Sequence, residues 1–185
     1  MNFFFGFKNT LLESKLTIPK FTNYGHSNKN YNLYSAEPKN NKWNYLKIES
    51  DLNDEDFYHV NNQIIENKKI FFLDKKKEEL KFDQNKLVNI NKFTDTEPAF
   101  RCNLKIYLNS FGFSSYQSEY PYNMVKKKGS ILSPISVLTD KKAEKNFLIF
   151  KNIYEKPICD KFNLYFFKIE SKKVLLIKEL ITNKS

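Results

Sequence analysis

The sequence predicts a mainly β fold: an antiparallel sandwich or jelly-roll-like pair of sheets in a single domain, with an irregular N-terminal half and room for one short helix. Three observations lead there. Hydrophobic residues make up 41% and aromatics 16% of the chain, well above a disordered composition, so the mean hydropathy of -0.61 reflects polar surface and not a missing core. Residues 103–111, NLKIYLNSF, alternate Leu104, Ile106 and Leu108 with Lys105, Tyr107 and Asn109, the period of two that a half-buried strand requires. Further short apolar runs follow at the spacing of an all-β sandwich or barrel. One domain spanning 1–185 can bury roughly 70% of the surface its unfolded chain exposes, and no Gly/Ser linker divides it.

Taken in order, residues 1–16, MNFFFGFKNTLLESKL, open with a short apolar run that Gly6 and Lys8 interrupt. No stretch of signal-peptide or membrane-spanning length follows, so a cytoplasmic location without membrane insertion is the expectation. Position 2 is Asn, which removes the myristoylation pattern. Residues 21–42 are rich in Asn, Ser and Tyr without sustained periodicity and read as a long irregular surface segment. WNYLKIE (43–49), KIFFLDK (69–75), LKF (80–82) and KLVNINKF (86–93) each read as a strand, while 61–82 leaves room for a helix. TDTEP (94–98) reads as a connector. Beyond residues 103–111 come SILSPISVL (130–138), where Pro134 demands an edge or a bulge, then NFLIFKNI (146–153), FNLYFFKIE (162–170) and KVLLIKELI (173–181). The turn between the last two is short enough to make 162–181 a hairpin. Helical spacing of Val174, Ile177, Leu180 and Ile181 is the competing pattern there.

The net charge of +10 is unevenly spread. Residues 1–95 carry 15 lysines against 13 acids, a balance of +2, whereas residues 96–185 carry 16 basic residues against 8 acids, a balance of +8. A basic half invites a nucleic-acid reading, since neutralised phosphates release counterions. The identity of the cations argues against it: Arg101 is the single arginine among 31 basic residues, and base or phosphate readers favour the planar guanidinium fork. Nonspecific association is all that lysines alone support. The chain has 23 Asn but only 3 Ala, 4 Gly and 6 Pro, residue types with GC-rich codons, so an AT-rich genome accounts for much of the lysine.

Several chemistries are excluded by spacing. His26 and His59 lie far from each other and from Cys102 and Cys159, whereas structural zinc sites use closely spaced pairs, so no metal is expected. Both cysteines read as buried thiols and not as a disulfide. No nucleophile elbow is present, and Cys102 sits in a strand pattern where a thiol packs. Asp51, Asn53 and Glu55 resemble the start of a calcium loop, but Asp56 stands where the glycine is needed and Asn62 where the bidentate glutamate is needed. Gly6, Gly25, Gly112 and Gly129 are too dispersed for a phosphate cradle, so no nucleotide cofactor is expected.

One stretch carries ligand-like chemistry. Residues 114–130, SSYQSEYPYNMVKKKGS, combine Tyr116, Tyr120 and Tyr122 with Gln117 and Glu119, then Lys126, Lys127 and Lys128. Tyrosine faces stack on sugars, amide and carboxylate groups bond hydroxyls, and the lysines attract an anion. Arg101 adds a carboxylate clamp. The same tyrosines also fit one face of a packed strand. The expected function is therefore a non-catalytic binding or accessory module for a saccharide or another polar or anionic ligand. The enzyme alternative is carbohydrate-active chemistry pairing Glu119 with Asp140 or Asp160.

Overall fold

Leu12, Ser14, Leu16 and Ile18 are buried and alternate with exposed or half-buried residues, so Leu12–Pro19 is a strand (β1) with one dry face. The computed structural model describes residues 3–20, 31–49, 54–75, 101–109, 111–117, 142–144, 156–157 and 159–181. Among the described residues the remaining strands are β2 (Tyr31–Lys39), β3 (Lys42–Lys47), β4 (Phe57–Val60), β5 (Ile70–Lys75), β6 (Cys102–Leu108), β7 (Phe111–Gln117), β8 (Lys161–Lys168) and β9 (Lys173–Ile181). The protein is mainly β, as its alternation predicts, and no described segment is helical. No described helix is long and apolar enough to cross a membrane.

All strand pairings among the described residues are antiparallel. Among the described residues one sheet runs β4-β1-β6-β7, a second β3-β2-β5, and a third is the pair β8-β9. Leu12, Leu16 and Ile18 from β1, Val60 from β4, and Cys102, Leu104 and Ile106 from β6 join Leu33, Phe71 and Leu73 of the second sheet in one apolar cluster. The hydroxyl of Tyr58 donates to the Tyr31 carbonyl at 2.7 Å, tying β4 to β2 across that cluster.

β2 and residues 70–73 of β5 carry buried side chains on both faces, whereas β3 exposes Lys42, Asn44, Leu46 and Lys47; this double burial accounts for the sequence readings that need correction. Residues 31–39 belong to β2 and not to an irregular surface segment. Tyr31 and Leu33 enter the shared cluster, whereas Tyr34 and Ala36 enter a second one with Trp43, Ile70 and Phe72. A strand buried on both sides shows no alternation. Asn40 and Asn41 both adopt positive φ, 51° and 59°, in the two-residue turn between paired Lys39 and Lys42, the hairpin geometry that asparagine tolerates. The N-terminal half is therefore more regular than expected, with β1 to β5 all before residue 76.

Phe3, Phe4 and Phe5 complete this double burial. Phe4 forms a β-bridge to Phe71 through paired amides of 2.8 and 2.7 Å, continuing the sheet past β5. Its ring enters the shared cluster and its two neighbours enter the second. Phe3 meets Phe72 edge-on at 6.0 Å. Within 61–82, residues 62–64 form a turn and 70–75 form β5, so the described part of that stretch holds no helix.

Two further boundaries move. Phe111 starts β7 instead of ending the preceding strand, because Asn109 takes φ 55° and reverses the chain so that Leu108 pairs with Phe111. The hairpin expected over 162–181 forms as β8 and β9, closed by the Lys172 amide donating to the Ile169 carbonyl at 3.3 Å. The proposed strands at 80–82, 86–93, 130–138 and 146–153 lie outside the described residues.

Candidate functional site

Because the inner face of the β4-β1-β6-β7 sheet is dry, its outer face collects the polar half of each strand. Register aligns these residues in cross-strand rows. His59, Thr17, Asn103 and Tyr116 form one row across β4, β1, β6 and β7. Lys15, Lys105 and Ser114 form the next, and Glu13, Tyr107 and Gly112 the third. Thr17, Lys15, Asn103, Lys105, Tyr107 and His59 are all half-buried.

The first row is anchored by a turn. Asp54 accepts the amides of Asp56 and Phe57 on Oδ1, at 2.9 and 2.5 Å, and points Oδ2 to His59 Nε2 at 2.8 Å. The hydrogen bond to His59 is the main reason its carboxyl lies below the ordinary aspartate value, with the two amides adding to it. His59 Nδ1 in turn lies 3.5 Å from Thr17 Oγ1. Lys20 closes the turn from the other strand, its amide donating to the Asp56 carbonyl at 2.7 Å and its Nζ to the Asp54 carbonyl at 2.6 Å.

The second row places two lysines, Lys15 and Lys105, directly opposite one another on an interior strand pair. Like charges in that position repel and lower sheet stability. Lys105 Nζ sits 5.0 Å from the Tyr107 ring centroid, a cation–π contact that recovers part of the cost. Tyr107 lies across β7 at Gly112, where an added Cβ would stand 2.9 Å from Tyr107 Cδ1. The glycine leaves the room that this ring occupies.

Of the residues nominated for ligand contact, Arg101, Tyr116 and Gln117 fall among those described. Arg101 is exposed immediately before β6, and Tyr116 is paired with Asn103. Gln117 is paired with the buried Cys102, and therefore belongs to the opposite row of β7 from Tyr116. Glu119, Tyr120, Tyr122, Lys126, Lys127, Lys128 and Asp140 lie outside the described residues, as do His26, Asp51 and Asn53. Asp160 accepts the amide of its neighbour Lys161 at 2.8 Å. Among the described residues no three potential metal-ligating side chains converge.

Thr17 and Lys15 are not singled out by the sequence reading. LESKLTIP carries a clear period of two, and that signal would have found β1 and its outward polar set. No family model, no curated protein and no solved structure matches the chain.

Proposed function

We propose that the chain is a non-catalytic binding module that takes an acidic saccharide on the outer face of the β4-β1-β6-β7 sheet. The observation that carries this reading is the directly opposed pair Lys15 and Lys105, flanked by the hydrogen-bonding row His59, Thr17 and Asn103 and by the Tyr107 ring. A carboxylate or sulfate between the two ammonium groups relieves their repulsion. Hydroxyls meet the polar row, and the half-buried Tyr107 ring adds apolar contact beside the lysines. Arg101, exposed immediately before β6, adds a further cation next to these rows.

The test is calorimetric titration with a uronate oligosaccharide, a neutral oligosaccharide of equal length, and a single-stranded oligonucleotide. Preference for the uronate is expected, with affinity falling roughly tenfold in a Lys15→Ala/Lys105→Ala variant and unchanged in Lys47→Ala on β3. Equal binding of all three, or a double variant that binds as the parent does, overturns the proposal. Preference for the oligonucleotide transfers the face to nucleic acid.

A second reading is hydrolysis through Asp54, His59 and Thr17, favoured by their linear order at 2.8 and 3.5 Å. Its weakness is that Thr17 lies within an interior strand paired with both β4 and β6, a setting in which backbone amides serve ladders before they serve an oxyanion. Turnover of an activated ester that disappears in Thr17→Val would establish it.

A further inference from the structure

We propose that the tip of the β8–β9 hairpin is a docking element for the surface of an anionic phospholipid bilayer. The hairpin presents large apolar side chains to solvent on both faces. Ile169 is 70% exposed, Leu175 66%, Ile177 54% and Phe167 50%. A patch of this kind on a protein surface marks an interaction site, and a two-stranded sheet alone is marginal in water. The ladder also carries an irregularity. Its register shifts between Phe166 and Phe167, so that Phe166 opposes Leu176 and Phe167 opposes Val174, leaving Leu175 as the bulged residue. Tyr165 and Phe167 stack at 6.1 Å along one side.

Charge identifies the occupant. Lys168, Lys172 and Lys173 ring the turn against the single acid Glu170, and residues 161–181 hold five lysines and two glutamates. The whole chain carries +10, so a second copy would bring like charge to like, whereas an anionic surface attracts it. A protein groove covers one side of an inserted element. A lipid headgroup layer surrounds both, which is what a hairpin apolar on both faces needs. Lysine stems lie along apolar surface while their ammonium groups reach phosphates, and each such lysine adds to binding at an anionic leaflet. Depth is limited by the backbone. Each strand of this two-stranded sheet has an outer edge with no strand neighbour among the described residues, and such edges do not enter hydrocarbon. The turn therefore seats among headgroups and does not span.

The test is flotation of the full chain with phosphatidylcholine vesicles prepared with and without phosphatidylserine. Binding is expected with phosphatidylserine alone and is expected to weaken as salt rises. Ile169→Ser/Leu175→Ser lowers vesicle affinity by at least about tenfold, and replacing Lys168, Lys172 and Lys173 by Glu lowers it by roughly 100-fold. These side chains are exposed, so the melting temperature of each variant stays within a few degrees of the parent. Lys15→Ala/Lys105→Ala retains vesicle binding, which separates this surface from the saccharide face. Equal binding to both vesicle types, no binding to either, or serine variants that bind as the parent does would each overturn the proposal. A dimer that dissociates in the serine variants without any vesicle binding assigns the hairpin to a second copy and overturns it as well.

Discussion

Asp54 divides its two oxygens between holding a turn and holding His59, and this division sets a pH dependence. Its folded value lies below the ordinary 3.8, chiefly because of the His59 hydrogen bond. A depressed carboxyl contributes stability that is complete above the unfolded value and is lost as pH falls through the folded one. Resistance to unfolding is therefore expected to decline below about pH 4, with a shallower decline in Asp54→Asn; a melting series from neutral to acid pH compares the two. Glu66, held down mainly by Lys69 at 2.6 Å, titrates in the same direction. The cysteines give a second residue-scale prediction. Cys102 is buried as expected, and burial pushes its thiol well above the ordinary range, whereas Cys159, expected to be buried as well, is exposed in the segment just before β8. Thiolate is the reactive form. Iodoacetamide should label one site in the native protein, at Cys159, and two after denaturation, by mass spectrometry.

At the scale of elements, aromatic residues of one composition serve opposite ends. Phe72 is fully buried between Phe3, Tyr34 and Tyr45, so Phe72→Ala should cost about 3–5 kcal/mol in urea unfolding. Phe167 is half exposed on β8, and Phe167→Ala should cost less than about 1 kcal/mol. The two strands also differ in how they were read. β6 was legible because Leu104 and Ile106 face a core while Lys105 and Tyr107 face out, and β8–β9 because its connecting turn is short. β2 was not, since its two faces are both dry and its Asn, Ser and Glu disguise that burial. The candidate site was harder still. His59, Thr17 and Asn103 come from three distant segments, and only ladder register brings them into one row. A slip of one residue would turn that row inward, and a single sequence does not state the register. The tyrosine and lysine stretch drew notice because it is contiguous; the polar rows are assembled from parts.

For the molecule as a whole, the shared cluster predicts how unfolding is seen. Trp43 is the single tryptophan and is fully buried in the second cluster, so its fluorescence reports the β3-β2-β5 sheet. If the two larger sheets stand or fall together through the side chains they share, urea transitions followed by Trp43 fluorescence and by far-ultraviolet dichroism will coincide. Separate midpoints would place the sheets in separately cooperative units. The central position of β1 has one more consequence, which concerns synthesis. Its first partner, β4, ends at Val60, but its second, β6, begins at Cys102, and Leu16 meets Leu104 only then. While a ribosome is still adding the intervening residues, the growing chain must carry Leu16 and Ile18 with one flank open. Such distant pairing is slow and prone to aggregation, so recovery from translation is expected to depend on holding factors that shield this flank until β6 emerges.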